Sequence, residues 1–286
     1  MTNRGVRRVV LAVAAVTALS GVGACTSSAG PETGSGTAHQ KRSLAALRTA
    51  ERSTHRARSV RVRSTTTLGS LMSTRAEGAL GWTDGLTGTL TITYTGGTTA
   101  DLMRGLDSTS LETRYLKDAY YAKVGERFAR QLGGRHWIRY TYDYLATLGG
   151  GSGAMMTDLM RNTTPNQSVR LLLAAGDVRK VGREKVSGVP TTHYSGTVHV
   201  SDLAGDGELQ KQLSQAGVGK ESVDIWVDGK DLLVKKVEKA DTANGAMTQT
   251  AYYSDYGVKV SARKPPAGDT EDFRTLLKKQ GGTPAS

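Results

Sequence analysis

Apolar residues follow three different rhythms along this 286-residue chain. Near the start, Val9 to Val22 is one apolar run broken only by small or weakly polar residues. From Lys41 to Arg56 the spacing is helical: Leu44, Leu47 and Ala50 fall three apart on one face, and Ser43 is placed to cap the N-terminus. From Ser59 the period drops to two, with Val60, Val62 and Ser64 alternating with Arg61, Arg63 and Thr65. Strands are then expected at residues 75–82, 88–95, 110–117, 120–124 and 137–141, each a short run of Thr, Tyr, Val, Ile or Leu. Gly, Asp or Asn punctuates most of the gaps, as in antiparallel meanders, and Trp82-Thr83-Asp84-Gly85 is a clear turn.

The rhythm changes in the middle. Gly149 to Gly153 reads as a hinge, and Met155, Met156, Leu159 and Met160 then fall at helical spacing within 154–161. Pro165-Asn166 breaks the chain, with Asn166 a plausible cap, and 169–175 reads as a second short helix stopped by Gly176. Strands resume at 178–186 and 191–200, and 203–216 reads as a polar helix. Further strands are expected at 222–227, 232–240 and 247–254, joined by Asp228-Gly229 and Asn244-Gly245, with 258–262 continuing the last. Pro265-Pro266 ends the sheet, and 270–279 reads as a final helix. Strands and helices do not alternate as βαβ units, so the pattern predicts an α+β fold with a large antiparallel sheet and helices on one face.

Charge changes the picture at the N-terminus. Arg4, Arg7 and Arg8 precede the apolar run with no acid among them, and Val22-Gly23-Ala24 ends it before Cys25, the only cysteine. These are the three regions of a secretion signal, and the run is too short and too rich in Ala and Gly for a good membrane span. The small-residue triplet before cysteine resembles the lipobox of bacterial lipoproteins, in which the thiol is acylated and the chain is cut just before it. An ordinary signal with an incidental Cys25 is the plainer alternative, and Arg7-Arg8 leaves twin-arginine export open. The expected organisation is a leader at 1–24, a lipidated Cys25 with a flexible tether at 25–41, and one domain at 42–286. Residues 26–40 would span roughly 20 Å. The expected location is the outer face of the cytoplasmic membrane.

Without the leader, 262 residues carry a formal charge of +9. A basic balance suits nucleic acid inside a cell, but outside it suits an anionic envelope surface, so no nucleic-acid partner is expected. Lys41, Arg42, Arg48, Arg52 and Arg56 form the polar face of the first helix and read either as a membrane-surface contact or as an ordinary solvated face. No catalytic constellation emerges. Ser152 lacks the following glycine of a nucleophile elbow, and Gly219-Lys220 lacks the rest of a phosphate loop. His193 and His199 lie about 20 Å apart along an extended strand, too far to share a metal, and are expected to be satisfied or exposed. No enzyme activity, metal or cofactor is expected.

Five motifs occur in order: GGRHWIRY (133–140), AAGDV (174–178), VPTTHYSGTV (189–198), VDIWVDG (223–229) and YYSDYGVKV (252–260). Together, behind the lipobox, they resemble the actinobacterial lipoproteins of the LppX/LprAFG group, with a LolA/LolB-like fold. The resemblance implies a large curved antiparallel sheet, an incomplete β-barrel, with short helices on its concave face and an apolar cavity for acyl chains. It points to a carrier or chaperone for an acyl lipid or glycolipid. The cavity would be lined by Met155, Met156, Leu159, Met160, Val169, Leu172 and Leu173, although plain core packing of the same residues is the simpler alternative. A tethered regulator docking on an envelope protein partner, or an enzyme or polymer-binding module, are the other classes kept open.

Overall fold

The computed structural model describes residues 33–147, 164–203 and 207–279. The period-two segments form one antiparallel sheet: β1 (Ser59–Leu68), β2 (Met72–Gly81), β3 (Thr87–Gly96), β4 (Ser110–Tyr115), β5 (Ala119–Lys123), β6 (Trp137–Thr141), β7 (Arg179–Val186), β8 (Val189–His199), β9 (Lys220–Asp228), β10 (Leu233–Thr242) and β11 (Gly245–Ser254). A twelfth strand, β12 (Thr270–Asp272), adds to β6 in parallel. The order is β12-β6-β5-β4-β3-β2-β1-β11-β10-β9-β8-β7, so two meanders meet where β1 pairs with β11. The sheet is open, with β12 and β7 at its edges.

Strand alternation decides the two faces. In β1, Val60, Val62 and Leu68 are buried while Arg61 and Arg63 are exposed. Glycine lets the sheet curve: Gly78 in β2 and Gly88 in β3 have φ of 155° and 147°. A Cβ at Gly78 would come within 2.1 Å of the Thr89 carbonyl oxygen, so the two strands approach where only glycine fits.

Helix α1 (Thr33–Arg56) lies on the concave face and packs against α5 (Pro165–Ala174). Ser43, Leu47, Ala50 and Thr54 form its buried stripe. Its C-terminal end is fixed by two hydrogen bonds: the Leu233 amide donates to Thr54 Oγ1 at 3.3 Å, and Trp82 Nε1 donates to the His55 carbonyl at 2.9 Å. In α5, Val169, Leu171 and Leu172 are buried in the same cluster, each burial worth about 1.5–3 kcal/mol. Between them lie the short helices α2 (Gly97–Gly105), α3 (Glu126–Gln131) and α4 (Tyr142–Thr147); α6 (Gly207–Gln215) and α7 (Phe273–Lys279) follow.

Several expectations are corrected. The helix expected from Lys41 begins at Thr33, so 33–41 of the expected tether is helical. Extending a helix already held by buried Leu47 and Ala50 costs little, and Gln40 Nε2 ties it to the Gly176 carbonyl at 2.7 Å. Ser43 is not a cap: it is buried inside α1, and its hydroxyl donates to the His39 carbonyl. Thr164, not Asn166, holds the cap position of α5, with Pro165 in the first turn. Residues 258–262 continue no strand, and 270–279 splits into β12 and α7. Helices α2, α3 and α4 have no expected counterpart, and α1, at 24 residues, is not short. The helix expected at 154–161 and the hinge at 149–153 lie outside the described residues.

Candidate functional site

Of the seven residues expected to line a cavity, the structure describes three. Val169 and Leu172 are fully buried in the central cluster, and Leu173 is partly buried against it. Met155, Met156, Leu159 and Met160 lie outside the described residues, as does Cys25. The concave face beneath α5 is apolar around Val198, Val223, Ile225 and Leu233. Farther along β10 it carries charge: Lys236 Nζ and Glu238 Oε2 form a buried pair at 2.6 Å, and Glu238 Oε1 has no hydrogen-bond partner. Such a pair is weak evidence for stability, because desolvation of both ions offsets their attraction.

The other end of the concave face is aromatic. Tyr115, Tyr120 and Tyr140 sit side by side on β4, β5 and β6 with ring centres 5.1 and 5.6 Å apart, and Phe273 of α7 covers Tyr140 at 4.6 Å. Burial raises the pKa of all three tyrosines, so they stay neutral donors.

The five cations of α1 are all exposed, Lys41 and Arg42 near its N-terminal half and Arg48, Arg52 and Arg56 beyond. They share the face opposite Leu47 and Ala50, as their spacing implied. A cleft of about 750 Å³ lies beside this face, between His39–Ser43 and the segment 176–180, which includes the start of β7. Sequence reasoning missed it, because its two walls lie more than 130 residues apart.

On the convex face the histidine question resolves. His193 stacks on Trp226 at 4.2 Å with 12° between the rings, and its Nε2 lies 2.7 Å from Asp224 Oδ1. Trp226 Nε1 in turn donates to Glu184 Oε1 at 2.5 Å. Register places His193, Trp226, Lys235, Tyr252 and Arg63 in one row across five strands. Lys235 Nζ stands 4.1 Å over the Trp226 ring, so cation and imidazole flank the indole. His193 is thus satisfied, while His199 is exposed. Among the described residues, no three His, Cys, Asp or Glu side chains are placed to hold a metal, and no helix is long and apolar enough to cross a membrane.

No protein-family model matches the chain. It is 53% identical over 301 residues to SCO4650 of Streptomyces coelicolor, named as a candidate lipoprotein; the match covers 98% of this chain and 100% of that protein. It is 50% identical over 254 residues to a 31.2 kDa Streptomyces griseus protein of the rplA–rplJ intergenic region, covering 85% of this chain and 83% of the other. Among solved structures, the Mycobacterium tuberculosis lipoprotein LppX aligns with 78% of this chain and 99% of its own, at 17% identity and a TM-score of 0.50. LprF of Mycobacterium bovis aligns with 79% of this chain and 97% of its own, at 15% identity and a TM-score of 0.48. The chain belongs to the streptomycete family of SCO4650 and has the open-sheet fold of LppX.

Proposed function

We propose that this protein is an envelope lipoprotein, anchored through Cys25 to the outer face of the cytoplasmic membrane, that carries an acyl lipid or glycolipid. The observation that carries the reading is α5, an apolar helix laid on the concave face of an open sheet, with Val169, Leu171 and Leu172 turned into it. The Met-rich segment Met155 to Met160 would complete the lipid site with Val169, Leu172 and Leu173, since methionine adapts to varied acyl shapes.

An acyl chain leaving water gains about 0.8 kcal/mol per CH₂. A lipid already in a bilayer has that gain, so the protein must match hydrocarbon and not merely beat water. Net driving force for extraction is then near zero. Direction must come from headgroup contacts or from consumption of lipid at the destination. The basic face of α1, from Lys41 to Arg56, would hold the domain at an anionic surface.

The test pairs the anchor with the cargo. Cys25→Ala should move the protein from the membrane fraction to the medium or leave it uncleaved. Secreted Cys25→Ala protein should transfer fluorescent phospholipid or glycolipid between vesicles, faster with anionic lipid and slower with salt, since exposed charges are screened over about 10 Å at 0.1 M. Failure to extract or transfer any envelope lipid would remove the carrier reading and leave docking on an envelope protein in its place.

A further inference from the structure

The cleft beside α1 has a chemistry of its own. His39 and Arg42 come from α1, Asp177 precedes β7, Arg179 and Lys180 open that strand, and buried Tyr194 of β8 adds to the lining. The walls are tied together where Gln40 Nε2 donates to the Gly176 carbonyl at 2.7 Å. Three permanent cations thus face one carboxylate, and that carboxylate is already engaged. Asp177 Oδ1 accepts the Thr197 amide at 2.6 Å, which turns it toward β8, and its other oxygen lies 3.8 Å from Arg179. That pairing offsets one cation and leaves a formal excess of two positive charges at the cleft. Among the described residues, Arg42 and Lys180 have no carboxylate within ion-pair distance.

We propose that this cleft binds a phosphate group. Two guanidinium forks and an ammonium lining one cleft suit phosphate oxygens, which arginine contacts in pairs. A concave site also focuses the field more than the convex face of α1 can. The source is the headgroup of an anionic lipid or a soluble phosphate ester. The lipid source rests on the carrier reading above: His39 lies fourteen residues after Cys25, so an anchored chain would hold the cleft close to the headgroups. The site itself does not depend on that reading.

The experiment uses the full chain carrying Cys25→Ala, so that the anchor does not dominate. Affinity is measured for phosphatidylglycerol vesicles, for phosphatidylcholine vesicles and for sn-glycerol 3-phosphate in solution. Arg42→Gln/Lys180→Gln should weaken binding about tenfold or more, as loss of charged hydrogen bonds implies. Lys230→Gln/Lys259→Gln, an equal charge change at exposed positions outside both the cleft and the basic face of α1, should weaken it less than about threefold. Arg42→Lys/Lys180→Arg, with an unchanged melting temperature, should restore most of the affinity. Saturable one-to-one binding of glycerol phosphate assigns a soluble ester to the site, and binding to phosphatidylglycerol vesicles alone assigns a lipid headgroup. Equal losses in the two glutamine pairs would mean a diffuse basic surface and overturn the proposal, as would absence of binding to both probes. Transfer of neutral diacylglycerol by the Arg42→Gln/Lys180→Gln protein separates the claims, because it tests the carrier reading with the phosphate site removed.

Discussion

His136 shows how much one polar side chain can organise. Its backbone amide and its Nδ1 both lie 2.8 Å from Asp269 Oδ1, and its Nε2 lies 3.3 Å from Glu126. Next to it Arg135 pairs with buried Glu271, which Lys279 also reaches at 3.3 Å. Two adjacent residues thus hold the C-terminal segment so that β12 can run parallel to β6. The hydrogen bond to Asp269 raises the His136 pKa above 6.5, and the bonds from His136 lower that of Asp269 below 3.8. The histidine contribution is fully present below 6.5 and is lost as pH rises through the raised folded value. The aspartate contribution is present above its unfolded value and is lost as pH falls through the lowered one. The clasp is therefore strongest between about pH 4 and 6.5. His136→Gln should lower the melting temperature more at pH 5.5 than at pH 8.5. The same decrement at both values would show that the contact is not charge-assisted.

At the scale of elements, the seating of α5 depends on one glycine. A Cβ at Gly196 of β8 would come 2.8 Å from Leu172 Cδ1 and 3.0 Å from Ala175 Cβ. The helix rests directly on strand backbone, which brings Leu172 and Val169 fully out of solvent. Gly196→Val should lift α5 and cost about 1–3 kcal/mol, the usual range for overpacking, read as a lower urea midpoint. Leu172→Ala alone should cost about 2–5 kcal/mol by opening a cavity. Gly196→Ala combined with Leu172→Ala should cost less than the two single changes together, because the new methyl fills space that the leucine vacates. Strict additivity would mean that the two sites do not touch.

For the molecule as a whole, an open sheet must protect its edges. On one side the edge is only three residues of β12, too short to recruit another strand. On the other, β7 presents eight residues, and its exposed Arg179, Lys180, Arg183, Glu184 and Lys185 discourage pairing. An irregularity between Lys180 and Gly182 leaves Val181 out of register and 52% exposed. Arg183→Thr/Lys185→Thr should therefore associate at protein concentrations where the parent does not, detected by static light scattering. Unchanged scattering would place the protection in the irregularity and not in the charges.

Much of this was legible because local physics is legible. The pleat forces alternation, so Val60, Val62 and Arg61, Arg63 declared their faces, and most strands fell within a few residues of their expected places. The helical stripe of Leu47 and Ala50, the apolar run of α5 and the satisfied state of His193 were also readable from residue type and spacing. The ordered motifs pointed to the LppX-type fold without any contact being known. The chain alone did not determine which strands would be neighbours across long separations. The pairing of β1 with β11 joins residues nearly two hundred positions apart, and β12 is too short to carry a periodic signal. The helical state of residues 33–40 depends on the core that holds the rest of α1 and on a hydrogen bond to Gly176. The cleft of Arg42, Arg179 and Lys180 follows the same rule. Spacing encodes which face a residue takes within one element, whereas a site built between elements exists only once burial has fixed how they pack.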